Sequence, residues 1–499
     1  MTTTKQSFAP SEQAQSFLSR EVHQLFIDGQ MVPAESGNTL TTNNPSTGEV
    51  LARFAAGGPS DVDRAVLAAR KAFNGPWSSW SPYERQALLN RVAQVLDQRF
   101  EELIQIEALD MGAPVSRLRN SKASLMKMLA FFASQATSIS GETLMNGIPG
   151  NVATMTLKAP VGVIGGIIPW NGPLNGQFWI IGAVLASGCT AVLKPASEAS
   201  LSVLRTAEIL HEAGVPAGVI NVVTGSGSTA GNALAAHPDV DRVAFTGSTE
   251  TGRRIIEAST VNIKKLQLEL GGKSADIICA DADLDKAVPG AAMGVFANSG
   301  QICFAGTRVL VQRSVVDQFT ERLLSFMDTL RVGHSLDSAS TLGPVVNQNQ
   351  LDTVLNYIDI GRNEGAELLY GGARLGDDLG NGYFVQPSVF GEVNNTMRIA
   401  REEIFGPVLS ILPFDDIDEA IAIANDSEYG LGGAVWSQNL STALRAVNGV
   451  HTGTMWVNCY GYIDPLVGFS GTKLSGYGFK GTAAHMDTYL YTKSVYMQL

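Results

Sequence analysis

Apolar and polar positions change rhythm along this chain. Early on the period is helical: Ser81-Pro82-Tyr83-Glu84 has the pattern of a capping box with proline at the first helical position. It predicts a long amphipathic helix running towards Asp110, where Gly112-Ala113-Pro114 stops it. From residue 160 short, continuously apolar runs take over, at 161–168, 191–194, 219–224, 240–246 and 265–270. Helical patterns at 176–187, 200–213 and 229–236 separate them. Runs apolar at every position, not at alternate ones, imply strands covered on both faces, and their alternation with helices implies a parallel sheet.

A second series follows Gly272: a helix at 284–298, a strand at 308–311, a helix at 315–330 and a strand–helix unit at 408–425. It predicts a second α/β domain with its boundary near Gly271-Gly272. Two segments read differently. Residues 142–159 alternate as two strands around 147–150, and 488–499 alternate as another strand with exposed apolar positions, an edge that needs a partner. The expected organisation is one unit from 1–141 and 160–270, a second from 271–484, and a small β segment from 142–159 and 485–499. A length of 499 residues accommodates about three domains. No internal repeat or low-complexity linker interrupts them.

Composition narrows the function classes. With 45% hydrophobic and 16% charged residues the chain can bury large cores. Its net charge of −12 and the lack of any basic run argue against nucleic acid or an anionic membrane as main partner. Met1 to Pro10 has no apolar core of a signal sequence, and 161–168 is too short for a span of about 20 residues. A soluble cytoplasmic protein is expected. Cys189, Cys279, Cys303 and Cys459 are widely spaced, without a Cys-x-x-Cys pair or a histidine cluster, so neither a metal site nor disulfides are expected. Three of them lie in apolar runs and read as buried small hydrophobes.

Cys303 is different. It stands in Asn298-Ser299-Gly300-Gln301-Ile302-Cys303-Phe304-Ala305-Gly306, a turn-like run framed by glycine, while Glu269 stands in Leu268-Glu269-Leu270-Gly271-Gly272-Lys273. A thiol and a carboxylate in glycine-flanked loops suggest a covalent nucleophile and a base that activates water. A thiolate adds to an aldehyde to give a thiohemiacetal, whose collapse with loss of hydride leaves a thioester. Pro169-Trp170-Asn171-Gly172-Pro173 follows the first strong strand, where a side-chain amide could meet the negative oxygen. Alone, Asn171 would be a turn former. Gly225 to Gly231 and Phe245 to Gly252 both join a strand to a helix, but the first has the wrong spacing for a dinucleotide fingerprint.

Together these segments resemble the NAD(P)-dependent aldehyde dehydrogenase superfamily, from Leu25-Phe26-Ile27-Asp28-Gly29 through Gly471-Thr472-Lys473-Leu474-Ser475-Gly476 to the final strand. The resemblance implies an α/β fold: a Rossmann-like cofactor domain, a second α/β catalytic domain carrying Cys303, and a small β bridging or oligomerisation segment whose pieces pair across subunits. It implies dimers or tetramers, and a small-molecule aldehyde as substrate. Cys303 would be the nucleophile, Glu269 the base and Asn171, with the Cys303 N–H, the oxyanion donor. Glutamate at position 269 favours a hydrolytic over a coenzyme-A-acylating enzyme. NAD would meet Ile168, Pro169, Trp170, Lys194, Ser197, Gly227, Gly231, Phe245, Thr246, Gly247, Ser248, Gly271, Glu403 and Phe405.

Three departures from relatives matter. Ser197 stands where many NAD-preferring relatives have a glutamate, with Glu198 displaced by one, so NADP should be tolerated beside NAD. Ile180 and Lys480 replace a lysine and a glutamate of a proton relay, so that relay does not carry over. Gly172 and Ala297 replace two phenylalanines of acetaldehyde-type relatives, leaving Trp179, Ile302, Phe304, Ile463 and Phe469 as apolar walls. Medium-chain, aromatic or terpenoid aldehydes are expected over acetaldehyde. A coenzyme-A-acylating enzyme and a catalytically silent structural protein are the alternatives.

Overall fold

The computed structural model describes residues 8–499. Expectations for the start of the chain before Phe8 lie outside the described residues. The capping box at Ser81 forms, with the Ser81 Oγ and N–H both paired to Glu84, and opens a helix over Pro82–Met111. Gly112 ends it with φ of 87°, a left-handed turn that glycine adopts without a side-chain clash.

Parallel strands follow at Val163–Ile168, Thr190–Pro195, Ile220–Val222, Arg242–Thr246 and Lys265–Glu269. The strand Val163–Ile168 lies between Thr190–Pro195 and Arg242–Thr246, so the strand order reverses at that point. Both faces are covered. One packs on the helices Pro82–Met111, Lys122–Ala136, Pro173–Ser187 and Leu201–Glu212, the other on Pro59–Asn74, Asn232–Ala236 and Thr249–Ala258. The helix expected from residue 229 begins instead as a π-helical turn over Gly227–Gly231, capped by Ser226.

The second sheet has seven strands, in which Ala275–Ile278 runs parallel between Arg308–Gln312 and Gly432–Trp436. The helix expected to reach 298 stops at Phe296, because Asn298 and Ser299 turn left-handed. Late in the chain Gly476–Tyr477 returns and adds antiparallel to Lys265–Glu269 in the first sheet. Arg308 stitches the second unit. Its buried guanidinium donates to the carbonyls of Lys273, Ile423 and Ala424 at 3.0, 2.9 and 2.9 Å and to Asn395 Oδ1 at 3.1 Å.

Val152–Pro160 and Leu490–Gln498 pair antiparallel with each other inside one chain along their whole length, with Thr143–Leu144 added at one side. The two pieces thus form one small sheet of their own chain. Tyr489 is buried immediately before the last strand, with the Arg242 guanidinium 5.0 Å from its ring centre, which anchors the strand on its own chain. Cys189 and Cys279 are buried as expected, whereas Cys459 is only partly buried. No helix of the described residues is long and apolar enough to cross a membrane.

Arg308→Leu leaves three buried carbonyls without their donor. We expect a loss of about 2–4 kcal/mol in stability, read as a lower urea midpoint with circular dichroism.

Candidate active site

In an open α/β sheet the crevice outside the carboxyl ends of the strands at the reversal point is the place for a ligand. Here it is a cleft of about 460 Å³. Ile168, Pro169, Trp170 and Asn171 line it from the strand ending at Ile168; Phe245, Thr246, Gly247 and Ser248 line it from its neighbour. Lys194, Ser197, Gly227 and Gly271 complete the first-sheet side, and Cys303, Glu403 and Phe405 face them from the second unit. Gly231 is the exception among the expected cofactor positions: it is buried, and a side chain there would meet the Lys194 stem at 3.4 Å.

The two units meet through glycine. A Cβ on Gly271 would fall 2.2 Å from Glu403 Oε2, and one on Gly272 would fall 2.4 Å from the Cys303 carbonyl oxygen. The Gly272 N–H donates to Glu403 Oε1 at 3.1 Å. Phe405, itself left-handed at φ of 55°, stands edge-on to Trp170 with ring centres 5.2 Å apart across the cleft. Gln350 pins this segment by donating from Nε2 to the carbonyls of Ile404 and Phe405, both at 2.9 Å. Sequence reading missed Gln350. Its available signal was the asparagine cap at Asn347 three residues earlier, which places it on a helix start but not on a cleft.

The cysteine loop is held from behind. Asn298, Ser299 and Gly300 are all left-handed, with φ of 55°, 55° and 74°, and a side chain at Gly300 would collide with the Gly406 carbonyl. Buried Gln301 accepts from the Val346 N–H at 2.9 Å, and Ser299 Oγ donates to the Gly343 carbonyl at 2.7 Å. Asn171 Nδ2 donates to the Gln301 carbonyl at 3.0 Å, which aims the amide at the cysteine loop. Asn298 Nδ2 in turn donates to the Asn171 carbonyl at 3.2 Å.

Glu269 is placed differently from the other site residues. It does not line the main cleft but a smaller chamber of about 20 Å³ beside it, with Ile167, Ile168, Pro169, Phe245 and Thr246 forming the shared wall. Neither of its carboxylate oxygens has a hydrogen-bond partner among the described residues. Burial pushes its carboxyl up to about 7, opposed by Lys480. Burial also pushes the Cys303 thiol up to about 12, opposed by Lys480 and reinforced by Glu403 and Glu269. Half-buried Glu403 is likewise raised by desolvation, to about 7, and buried Lys194 lowered, to about 8.

Of the expected apolar walls, Phe304, Ile463 and Phe469 share a cluster with Cys303, joined by Trp456 and Tyr460, which sequence reading missed. Phe304 lies 5.6 Å from Trp456 and 5.7 Å from Phe469, ring centre to ring centre. Trp179 instead lines the chamber, stacked on His485 at 6.0 Å. Ala297 and Ile302 flank the cysteine loop, half-buried, and a side chain at Gly172 would meet nothing within 4 Å.

Comparison with known proteins agrees with this geometry. A family model described as "Aldehyde dehydrogenase family" matches residues 31–495. The chain belongs to the aldehyde dehydrogenase family. Among its relatives, aldehyde dehydrogenase family 2 member C4 of Arabidopsis thaliana is 43% identical over 95% of both chains. The mitochondrial benzaldehyde dehydrogenase of Antirrhinum majus is 43% identical, covering 96% of this chain and 89% of its own. The NAD+ complex of aldehyde dehydrogenase from Bacillus cereus superposes with a TM-score of 0.95 at 42% identity, covering 98% of this chain and 99% of that one. The enzyme therefore has the aldehyde dehydrogenase fold, with its cofactor-type and catalytic sheets facing one cleft.

A carboxyl raised in the fold costs stability as pH climbs. Stability tied to Glu269 is full below the usual value of 4.5 and declines as pH rises through about 7. Glu269→Gln should accordingly be more stable than the parent at pH 8, by up to about 3 kcal/mol, with the gain vanishing at pH 4. Urea midpoints at the two pH values check this.

Proposed function

We propose that the enzyme oxidises a bulky, apolar aldehyde to its carboxylic acid with NAD, NADP being tolerated, through a thioester on Cys303 that Glu269 helps water to hydrolyse. The observation that carries this reading is the junction at Gly272, which sets the cysteine loop against the strand end that bears Glu269. We assign cofactor binding to the unit of 1–141 and 160–270, catalysis to 271–484, and assembly to 142–159 with 485–499. A homo-oligomer, dimer or tetramer, in the cytoplasm completes the reading.

The residues present fit a dinucleotide. The cleft lies at the strand-order reversal, Ser248 caps the helix Thr249–Ala258 whose amino end faces it, and the Lys194 ammonium is buried at its edge. Glu403 and Phe405 would hold the nicotinamide end, and Lys194 with Ser197 the adenosine ribose. Bound there, NAD supplies the hydride acceptor. Ser197 puts no charge opposite a ribose phosphate, while Glu198 lines the same wall, so NAD is favoured without NADP being barred.

The Cys303 thiol, lining the cleft, gives up its proton to solvent, and Glu269, whose carboxyl burial raises to about 7, suits removal of a proton from water at neutral pH. Rotation of the Glu269 side chain out of the chamber brings it to the water that attacks the thioester. As sulfur adds to the aldehyde, the oxygen that becomes negative meets the Asn171 amide and the Cys303 backbone N–H. After hydride loss the acyl group remains on sulfur, and Glu269 takes a proton from the attacking water to release the acid. The alternative of transfer to coenzyme A leaves this carboxylate without a task.

The substrate class rests on Gly172, where a side chain would find open space, and on the aromatic group of Phe304, Trp456 and Phe469 beside Cys303. The Antirrhinum majus relative, named for benzaldehyde, supports an aromatic substrate.

Two tests follow from this mechanism. Glu269→Gln should still release one equivalent of reduced cofactor in a burst with benzaldehyde and NAD, while steady-state turnover falls about 10²- to 10⁴-fold; Cys303→Ala should show neither phase. Stopped-flow absorbance distinguishes them, and loss of the burst in Glu269→Gln would remove its assignment to hydrolysis. Gly172→Phe should lower the kcat/KM ratio of benzaldehyde to acetaldehyde at least about tenfold, the order of discrimination that apolar pockets supply. An unchanged ratio would show that position 172 is not a wall.

A further inference from the structure

Lys480 is absorbed by none of the steps above, yet it occupies a fixed place beside the base. Its backbone is clamped to Phe469 by two hydrogen bonds, Phe469 N–H to its carbonyl at 2.7 Å and its own N–H to the Phe469 carbonyl at 2.9 Å. Its Nζ donates to Thr246 Oγ1 at 3.2 Å. Lys480 and Glu269 line the same small chamber, whose volume of about 20 Å³ has room for about one water molecule. Ile180, on the helix Pro173–Ser187, lines the same chamber and brings no charge to it.

The chamber is polar and under-satisfied. Both Glu269 oxygens, His485 Nε2 and the Tyr489 hydroxyl are buried without a partner among the described residues. Other charged or titratable groups nearby are committed or remote from the carboxylate. His485 is held neutral by burial and by Arg242 and Lys480. The Arg242 guanidinium is engaged by Gln267 Oε1 at 2.9 Å and the Thr488 carbonyl at 2.7 Å. Cys303 and Glu403 face from the second unit and carry no positive charge. Among the described residues lining the chamber, Lys480 is the one lysine or arginine, and it acts on both Glu269 and Cys303.

We propose that Lys480 is a positioning residue that keeps the Glu269 carboxylate ionised and turned into the chamber between turnovers. It opposes the cost of burying the carboxylate charge, which would otherwise favour the protonated acid. The ionised form of the base is thereby favoured, and its side chain is parked out of the path of aldehyde and cofactor, one rotation from the thioester. The inference rests on Glu269 being the base of the proposed function.

The test uses the full-length protein with Lys480→Met and Lys480→Arg. Infrared difference titration follows the protonated carboxyl band that disappears in Glu269→Gln and needs neither aldehyde nor cofactor. Single-turnover thioester hydrolysis with benzaldehyde and NAD gives the second pH profile. Lys480→Met should move both midpoints upward by about 1–2 pH units, and Lys480→Arg should restore them. An unmoved infrared midpoint in a folded Lys480→Met protein overturns the proposal, as does an equal shift in Met and Arg variants, which marks a packing effect. An infrared shift in a protein inert towards every aldehyde supports the Lys480–Glu269 coupling and overturns the dehydrogenase reading instead.

Discussion

The backbone at Gly271 and Gly272 runs between the Glu403 carboxylate and the Cys303 carbonyl with no space for a side chain on either residue. That close approach is what the rest of the site depends on. Cys303 belongs to one sheet's loops and Glu269 to the other sheet's last parallel strand. Only a chain without Cβ atoms at the join lets them sit at one cleft. Even a methyl group would force the cysteine loop or the Glu403 segment to shift, and catalytic geometry tolerates little displacement.

The site also concentrates groups held in uncomfortable charge states. Glu269 and Lys273 are buried and Glu403 half-buried, with their pKa values drawn towards neutrality by desolvation. A fold selected for stability alone would replace them with apolar residues. Their retention is the physical signature of a site that must exchange protons near neutral pH. The left-handed run from Asn298 to Gly300 is a second local cost, held by buried hydrogen bonds from Gln301 and Ser299.

Much of this was legible in the sequence because it follows local rules. Continuous apolar runs gave the parallel strands, the Ser81 box gave the long helix, and the glycine frame marked Cys303, which lines the cleft. The cofactor-facing residues sit at strand ends, so the motif positions and the cleft wall coincide except at Gly231, where a π-helical turn rotates the chain inward. What was hidden is set by tertiary contact. Gln350 reaches the cleft by holding the Ile404 and Phe405 carbonyls, Trp456 and Tyr460 come from a distant strand and loop, and Trp179 faces the chamber because Phe132 and His485 pack around it. No spacing rule predicts such meetings. Nor could the sequence show that Glu269 would lie behind the cleft wall.

The short strand Gly476–Tyr477 closes the first sheet only after the chain has built the whole of the second. The catalytic lobe is therefore an insertion, attached to its neighbour by an outgoing connection after Glu269 and a returning one before Gly476. The lobe therefore cannot be cut out whole without removing an edge strand from the sheet it faces.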